Sequence, residues 1–231
     1  MRPPSTPVFV LVPGASQSPA HYGLLMHFLL TRGHPVYSTI LPSTGPGNGK
    51  NVTTGIPGSA AAYGLGKKYR EVAGKKSSVL GRIYIASLLV KGGDGGTIVD
   101  ALGGLLPPHI TLDEPSGILN CADPGPPLHS DVKPLLFQNV IVTSTLCLSY
   151  AFWHSPCPRG SWNQEPSRGK IAFIRTLNDT SIPLQFQDMF MQNMGEEWIV
   201  RDMDTGHGPQ LVQPERVCDV LIELAREFGG V

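Results

Sequence analysis

The run Val8-Phe9-Val10-Leu11-Val12, cut off by Pro13 and Gly14, constrains the fold more than any other stretch of this chain. Five consecutive apolar residues ended by turn formers predict a strand buried on both faces, as in a parallel sheet. Gly14 permits a tight turn and a close approach of backbone amides to whatever lies beyond the strand end. In an open parallel sheet, ligands sit in the crevice past the carboxyl ends of the strands. The small polar segment Ala15-Ser16-Gln17-Ser18 therefore faces a candidate site. A strand and turn with no further role would look the same, so the rest of the chain must decide.

The next segments continue an α/β pattern. Residues 19–31 place Tyr22, Leu25, Met26, Leu29 and Leu30 at helical spacing, and Arg32-Gly33 ends that helix. Residues 34–41 read as a second strand, completing a unit of the size of a parallel crossover. The polar, Gly-rich stretch 46–54 interrupts the pattern. A helix comes after it over 56–73, weakened by Gly64 and Gly66, and residues 79–90 read as a buried strand. Residues 91–169 are the least regular part, rich in Gly and Pro pairs, with a candidate helix over 140–152. Their aromatic residues Phe137, Tyr150, Phe152, Trp153 and Trp162 argue against disorder and for an inserted cap. Order returns with a strand over 170–176, a helix over 184–194, a strand over 196–201 and an amphipathic last helix over 213–228. The expected organisation is therefore a first core half over 1–90, a cap over 91–169 and a second core half over 170–231.

Bulk properties narrow the function. The 231 residues carry 18 basic and 18 acidic side chains, a formal net charge of zero. That balance argues against nucleic acid or an anionic membrane as partner. Cys121, Cys147, Cys157 and Cys218 form no C-x-x-C pair and suit neither zinc nor a disulfide framework. No metal site and no cofactor is expected. The amino terminus lacks a signal-peptide pattern and no stretch reaches membrane-spanning length, so a cytoplasmic protein is expected. Oligomeric state is not set by the sequence.

Two late loops carry chemistry. Asp179 comes after the 170–176 strand, and His207 lies between Gly206 and Gly208 after the next strand. Both belong at the carboxyl edge of a parallel sheet, with the amides of residues 14–16. An acid that orients a histidine, beside free backbone N–H groups, forms most of an acyl-transfer site. Asp179 would fix the imidazole tautomer, His207 would move a proton, and the amides near Ala15 and Ser16 would hold an oxyanion. Asp202 and Asp204 are rival acids nearer in sequence, better suited to shaping the loop.

The stretch VFVLVPGASQSPAHY with its adjoining helix and HPVYSTILPSTG resembles the start of α/β-hydrolases of the esterase and hydroxynitrile-lyase-like branch. GIPGSAAAYGLGKK, VLGRIYIASLLVKGG, LNDTSIPLQFQ and DTGHGPQLVQPERV resemble later parts of fungal and bacterial members, in the same order. The resemblance implies a three-layer parallel-sheet α/β fold with an inserted cap. It also implies hydrolysis of a small-molecule carboxylic ester or related acyl compound, in small-molecule or secondary metabolism. By position it gives Asp179 the acid's role, His207 the general base's, and Gly14 and Ala15 the oxyanion loop.

The nucleophile is where the chain departs from that pattern. No G-x-S-x-G elbow occurs, and the best register puts Val52 of Asn51-Val52-Thr53-Thr54-Gly55 where the serine belongs. Valine has no hydroxyl to attack with. The helix and central strand expected before the elbow need roughly 25 residues, and only the short PGNGKN segment remains. Three readings stay open. The chain is a shortened product of a hydrolase gene, or a catalytically inactive relative that uses its pocket to bind a ligand or act as a scaffold, or Thr53, Thr54 or Ser59 serves as a displaced nucleophile. If the central strand is absent, the first strand should pair directly with the 79–90 strand.

Overall fold

The structure is a computed structural model that describes residues 6–41, 44, 57–162, 164 and 168–229. Residues 45–56, and with them Val52, Thr53 and Thr54, lie outside the described residues. The strands in chain order are β1 (Phe9–Leu11), β2 (Val36–Ser38), β3 (Arg82–Ile85), β4 (Ile110–Asp113), β5 (Ile118–Cys121), β6 (Leu148–Ser149), β7 (Ile171–Thr176) and β8 (Ile199–Met203). The helices are α1 (Gly23–Thr31), α2 (Pro57–Ala61), α3 (Lys67–Val72), α4 (Ile98–Ala101), α5 (Gly125–His129), α6 (Leu135–Thr143), α7 (Tyr150–His154), α8 (Leu184–Met194), α9 (Pro209–Val212) and α10 (Pro214–Gly229).

Parallel pairing dominates the core. β1 pairs with β2, and β3, β7 and β8 form a separate parallel sheet in the order β3-β7-β8. The expected direct pairing of the first strand with the 79–90 region does not occur: among the described residues the two sheets share no ladder. They are joined through packing instead. Phe9 and Leu11 of β1, Val36 of β2, Ile83 and Ile85 of β3, Ile174 of β7 and Met203 of β8 all meet one core. That core is built by Leu25 and Leu29 of α1 with Val217, Cys218, Leu221 and Ile222 of α10. Because strand side chains alternate between faces, Ile171 and Phe173 point the other way. They join Phe190, Met191 and Met194 of α8 and Trp153 and Trp162 from the 91–169 region. Helices thus cover both faces of the three-stranded sheet, the arrangement a buried parallel sheet requires.

The first strand departs from expectation. Only Phe9 and Leu11 face the core, while Val8, Val10 and Val12 are exposed, Val10 at 71%. Its cross-strand neighbour Tyr37 is 65% exposed. Near this face a β-carbon on Gly58 of α2 would stand 3.2 Å from Val12. The 79–90 strand shortens to four residues because Ala86 adopts φ 43°, which ends the extended run. The expected helix over 56–73 is two short helices, parted at Gly64, whose φ is +72°. The strand expected over 196–201 lies at 199–203, where its register sets Met203 opposite Thr176.

Residues 91–169 carry an antiparallel β4-β5-β6 sheet and the helices α4 to α7. Leu119, Leu148, Trp153 and Trp162 pack into the same core as Phe173. Among the described residues no helix is long and apolar enough to cross a membrane.

These packing differences set a pair of expected stabilities. Phe173 is fully buried and meets Trp198 edge to face at 6.2 Å. Truncation of Phe173 to Ala should cost about 3–5 kcal/mol, whereas Val10→Ala should change stability by less than about 0.5 kcal/mol. Urea unfolding of both variants checks this, and a large loss at Val10 would show that its face is covered in solution.

Candidate active site

The site begins with the pairing of β7 and β8, which carries on into the loops beyond them. Leu177 N–H donates to the Met203 carbonyl at 3.0 Å, and Asn178 N–H donates to the Thr205 carbonyl at 3.0 Å. This stitching brings Asp179 and His207 together although 28 residues separate them. His207 Nδ1 lies 2.9 Å from Asp179 Oδ2. An ionised carboxylate can only accept, so Nδ1 carries the proton and Nε2 is the basic nitrogen.

Asp179 is completely enclosed, yet every lone-pair direction it needs is used. Its Oδ2 also accepts from Thr176 Oγ1 at 2.9 Å, and its Oδ1 accepts from the N–H groups of Ser181 at 2.8 Å and Ile182 at 2.9 Å. Burial works to raise the carboxyl's proton affinity. His207, the Ile182 amide and the Thr176 hydroxyl outweigh it and hold the group below its ordinary value. Gln187 of α8 braces this arrangement. Its Oε1 accepts from Thr176 N–H at 3.1 Å, and its Nε2 donates to the carbonyls of Thr176 at 3.0 Å and Ile182 at 2.8 Å. The rival acids are engaged elsewhere: Asp202 receives the Arg175 guanidinium at 2.7 and 2.9 Å, and Asp204 accepts from Asn178 Nδ2 at 2.7 Å.

The loop after β1 is a tight turn in which Gln17 N–H reaches the Gly14 carbonyl at 3.1 Å. Ser16 sits in it at φ 61°, a left-handed conformation uncommon for a residue with a side chain. Its carbonyl is held by Leu146 N–H at 2.8 Å. The Gly14 N–H donates to the Tyr22 hydroxyl at 3.0 Å, so this amide is occupied. Among the described residues the N–H groups of Ala15 and Ser16 have no acceptor.

Two further histidines connect the β1 loop with the His207 loop. Ser18 N–H donates to His21 Nδ1 at 3.2 Å, which leaves Nε2–H pointing at Ser144 Oγ, 3.4 Å away. The His21 ring lies 6.3 Å from that of His129, and both residues are buried. Burial lowers the His21 pKa. Burial first, then the neighbouring His21 and His207, push His129 down to about 4.

Ser59, the one candidate nucleophile within the described residues, is not paired with His207. It is buried, its Oγ accepts from Ser161 N–H at 3.0 Å, and its carbonyl receives the Ser161 hydroxyl at 2.5 Å. Sequence reading also passed over Thr176, Gln187, His21 and His129. Gln187 carried a usable signal, a polar residue on the apolar side of a helix. The others carry none without the tertiary contacts.

The fold is that of the α/β-hydrolases. Neither a family model nor a curated protein matches the chain, but solved structures do. A pyrethroid hydrolase superposes with TM-score 0.69 at 17% identity, over 98% of this chain and 99% of that one. Polyneuridine aldehyde esterase gives 0.70 at 15% identity, over 95% and 99%. Tomato methylketone synthase I, complexed with 2-tridecanone, gives 0.70 at 14% identity, over 97% and 99%.

The buried histidine makes stability depend on pH. An unfolded imidazole binds its proton near 6.5, so between that value and about 4 the unfolded chain holds more protons than the folded one. Stability should therefore fall as pH drops through this window, by about 3 kcal/mol from His129 alone. Urea unfolding at pH values across the window checks this; the loss should be smaller by about that amount in His129→Gln, where the share from His21 remains, and an equal loss in that variant would contradict the assignment.

Proposed function

We propose that this chain is built to bind a small-molecule carboxylic ester and to assist its hydrolysis, with His207 as general base. The observation that carries the reading is the 2.9 Å contact of His207 Nδ1 with a fully enclosed, fully hydrogen-bonded Asp179. Such an acid fixes the ring with Nε2 basic and stabilises the imidazolium that forms when a proton is taken. The imidazole is 18% exposed, enough for a small reactant to reach it. The unengaged amides of Ala15 and Ser16 are the donors for the oxyanion.

With Val52 at the register of the elbow serine, the attacking group in this reading is water. His207 Nε2 takes a proton from water as its oxygen bonds to the ester carbonyl carbon. The carbonyl π pair moves onto oxygen and is held by the two amides. Collapse of the tetrahedral adduct breaks the bond to the alkoxy oxygen, which receives the proton from His207. Without a covalent acyl-enzyme, one difficult step is not split into two easier ones, and turnover is slow. A chain of zero formal net charge suits an uncharged ester more than a polyanion. A purely ligand-binding role is the second reading, favoured by the same valine.

Incubation with p-nitrophenyl acetate and with a fluorophosphonate separates these. The expected result is slow hydrolysis without a burst, no phosphonylation, and a rate lowered about a hundredfold in His207→Gln. Hydrolysis absent from the native chain supports the binding role instead. Stoichiometric labelling of Thr53, Thr54 or Ser59 would overturn the water mechanism.

A further inference from the structure

We propose that Asp131, in the turn between α5 and α6, is a positioning residue for His207, and that the segment 125–132 clamps both loops of the acid–histidine pair. The inference rests on the reading of His207 as the base. Asp131 Oδ2 accepts from Gly206 N–H at 2.6 Å, one peptide before the imidazole-bearing residue. The approach is so close that a β-carbon at Gly206 would stand 2.9 Å from Asp131 Oδ1. Any side chain at position 206 would push the Asp131 carboxylate aside. On the other side of His207, the Leu128 carbonyl would lie 3.7 Å from a β-carbon on Gly208. The same segment reaches the acid's loop, where the single proton of Thr180 Oγ1 is shared between the carbonyls of Pro126 and Pro127, each at 3.4 Å.

The clamp is itself anchored. Val132 N–H donates to the His129 carbonyl at 3.1 Å, and Gln138 Nε2 donates to the same oxygen at 2.5 Å. Val132 is buried against Ile141 of α6 and Leu211 of α9. Asp131 therefore extends from a fixed base. Its second oxygen, Oδ1, is buried and has no hydrogen-bond partner among the described residues. An enclosed carboxylate oxygen left without a partner is costly for stability, and the cost is offset if the other oxygen serves to place the Gly206 peptide. An ionised acceptor makes a shorter and stronger bond than a neutral one. Fixing that peptide plane limits the swing of His207 and keeps Nδ1 on Asp179.

Hydrogen exchange followed by NMR, on Asp131→Ala and Asp131→Asn, tests this without relying on turnover. In Asp131→Ala the Gly206 amide should exchange about tenfold faster, and the proton on His207 Nδ1 should exchange faster as well. The amides of β7 should keep their native rates, which separates loss of positioning from loss of the fold. Asp131→Asn keeps an acceptor oxygen without the charge and should give exchange between the native and Asp131→Ala rates at both sites. Native rates at Gly206 and His207 in a folded Asp131→Ala chain would overturn the proposal. If Asp131→Ala does not fold, Asp131→Asn decides: faster exchange at Gly206 with native rates in β7 supports the proposal, and native exchange at Gly206 contradicts it. Failure of ester hydrolysis with these exchange results intact would count against the proposed reaction and leave the positioning role standing.

Discussion

The enclosed carboxylate of Asp179 is the constraint on which the rest of the site depends. A buried negative charge is tolerated only when donors surround it, and four donors do so here: Thr176, Ser181, Ile182 and His207. Three of these come from the strand end and loop of Asp179 itself, so the acid's position is set by local chain geometry. The fourth ties in a loop from the neighbouring strand. Gln187, wholly buried, locks the strand end to the start of α8 through Thr176 and Ile182. Remove the carboxylate, and the reason for the imidazole's orientation goes with it.

Around that centre the molecule holds its layers by packing more than by a continuous sheet. The β1–β2 and β3–β7–β8 sheets meet beneath α1 and α10, whose side chains contact strands of both. Arg32, just after α1, adds ion pairs to Glu215 and Asp219 of α10. Exposed pairs of that kind contribute little, so the apolar interface between the helices carries the connection. On the opposite face β1 and β2 present Val10 and Tyr37 to solvent, whereas β7 is covered on both sides. The half of the molecule bearing Asp179 and His207 is thus better packed than the half bearing the amide loop.

Much of the second half was legible in the sequence because its signals are local. The helix over 184–194 matches α8, and the amphipathic pattern of 213–228 matches α10 within a residue. The positions of Asp179 and His207 after consecutive strands sufficed to bring their side chains into one site. The first half was less legible. A five-residue apolar run implies two-sided burial only if something covers both faces, and the exposure of Val10 shows that the run alone does not guarantee it. Gly14 was read as offering an amide, but Tyr22, eight residues on, occupies it. The contributions of Asp131, His129 and His21 depend on folding 91–169 against the core, which no periodicity in that segment announces.

The central claim is that Asp179 selects the tautomer of His207, and long-range proton–nitrogen correlation of that ring tests it most directly. At alkaline pH the native chain should show His207 protonated on Nδ1 alone. In Asp179→Asn the side-chain amide can donate as well as accept, and that selection should be lost. A native ring protonated on Nε2, or averaging between both nitrogens, would contradict the account.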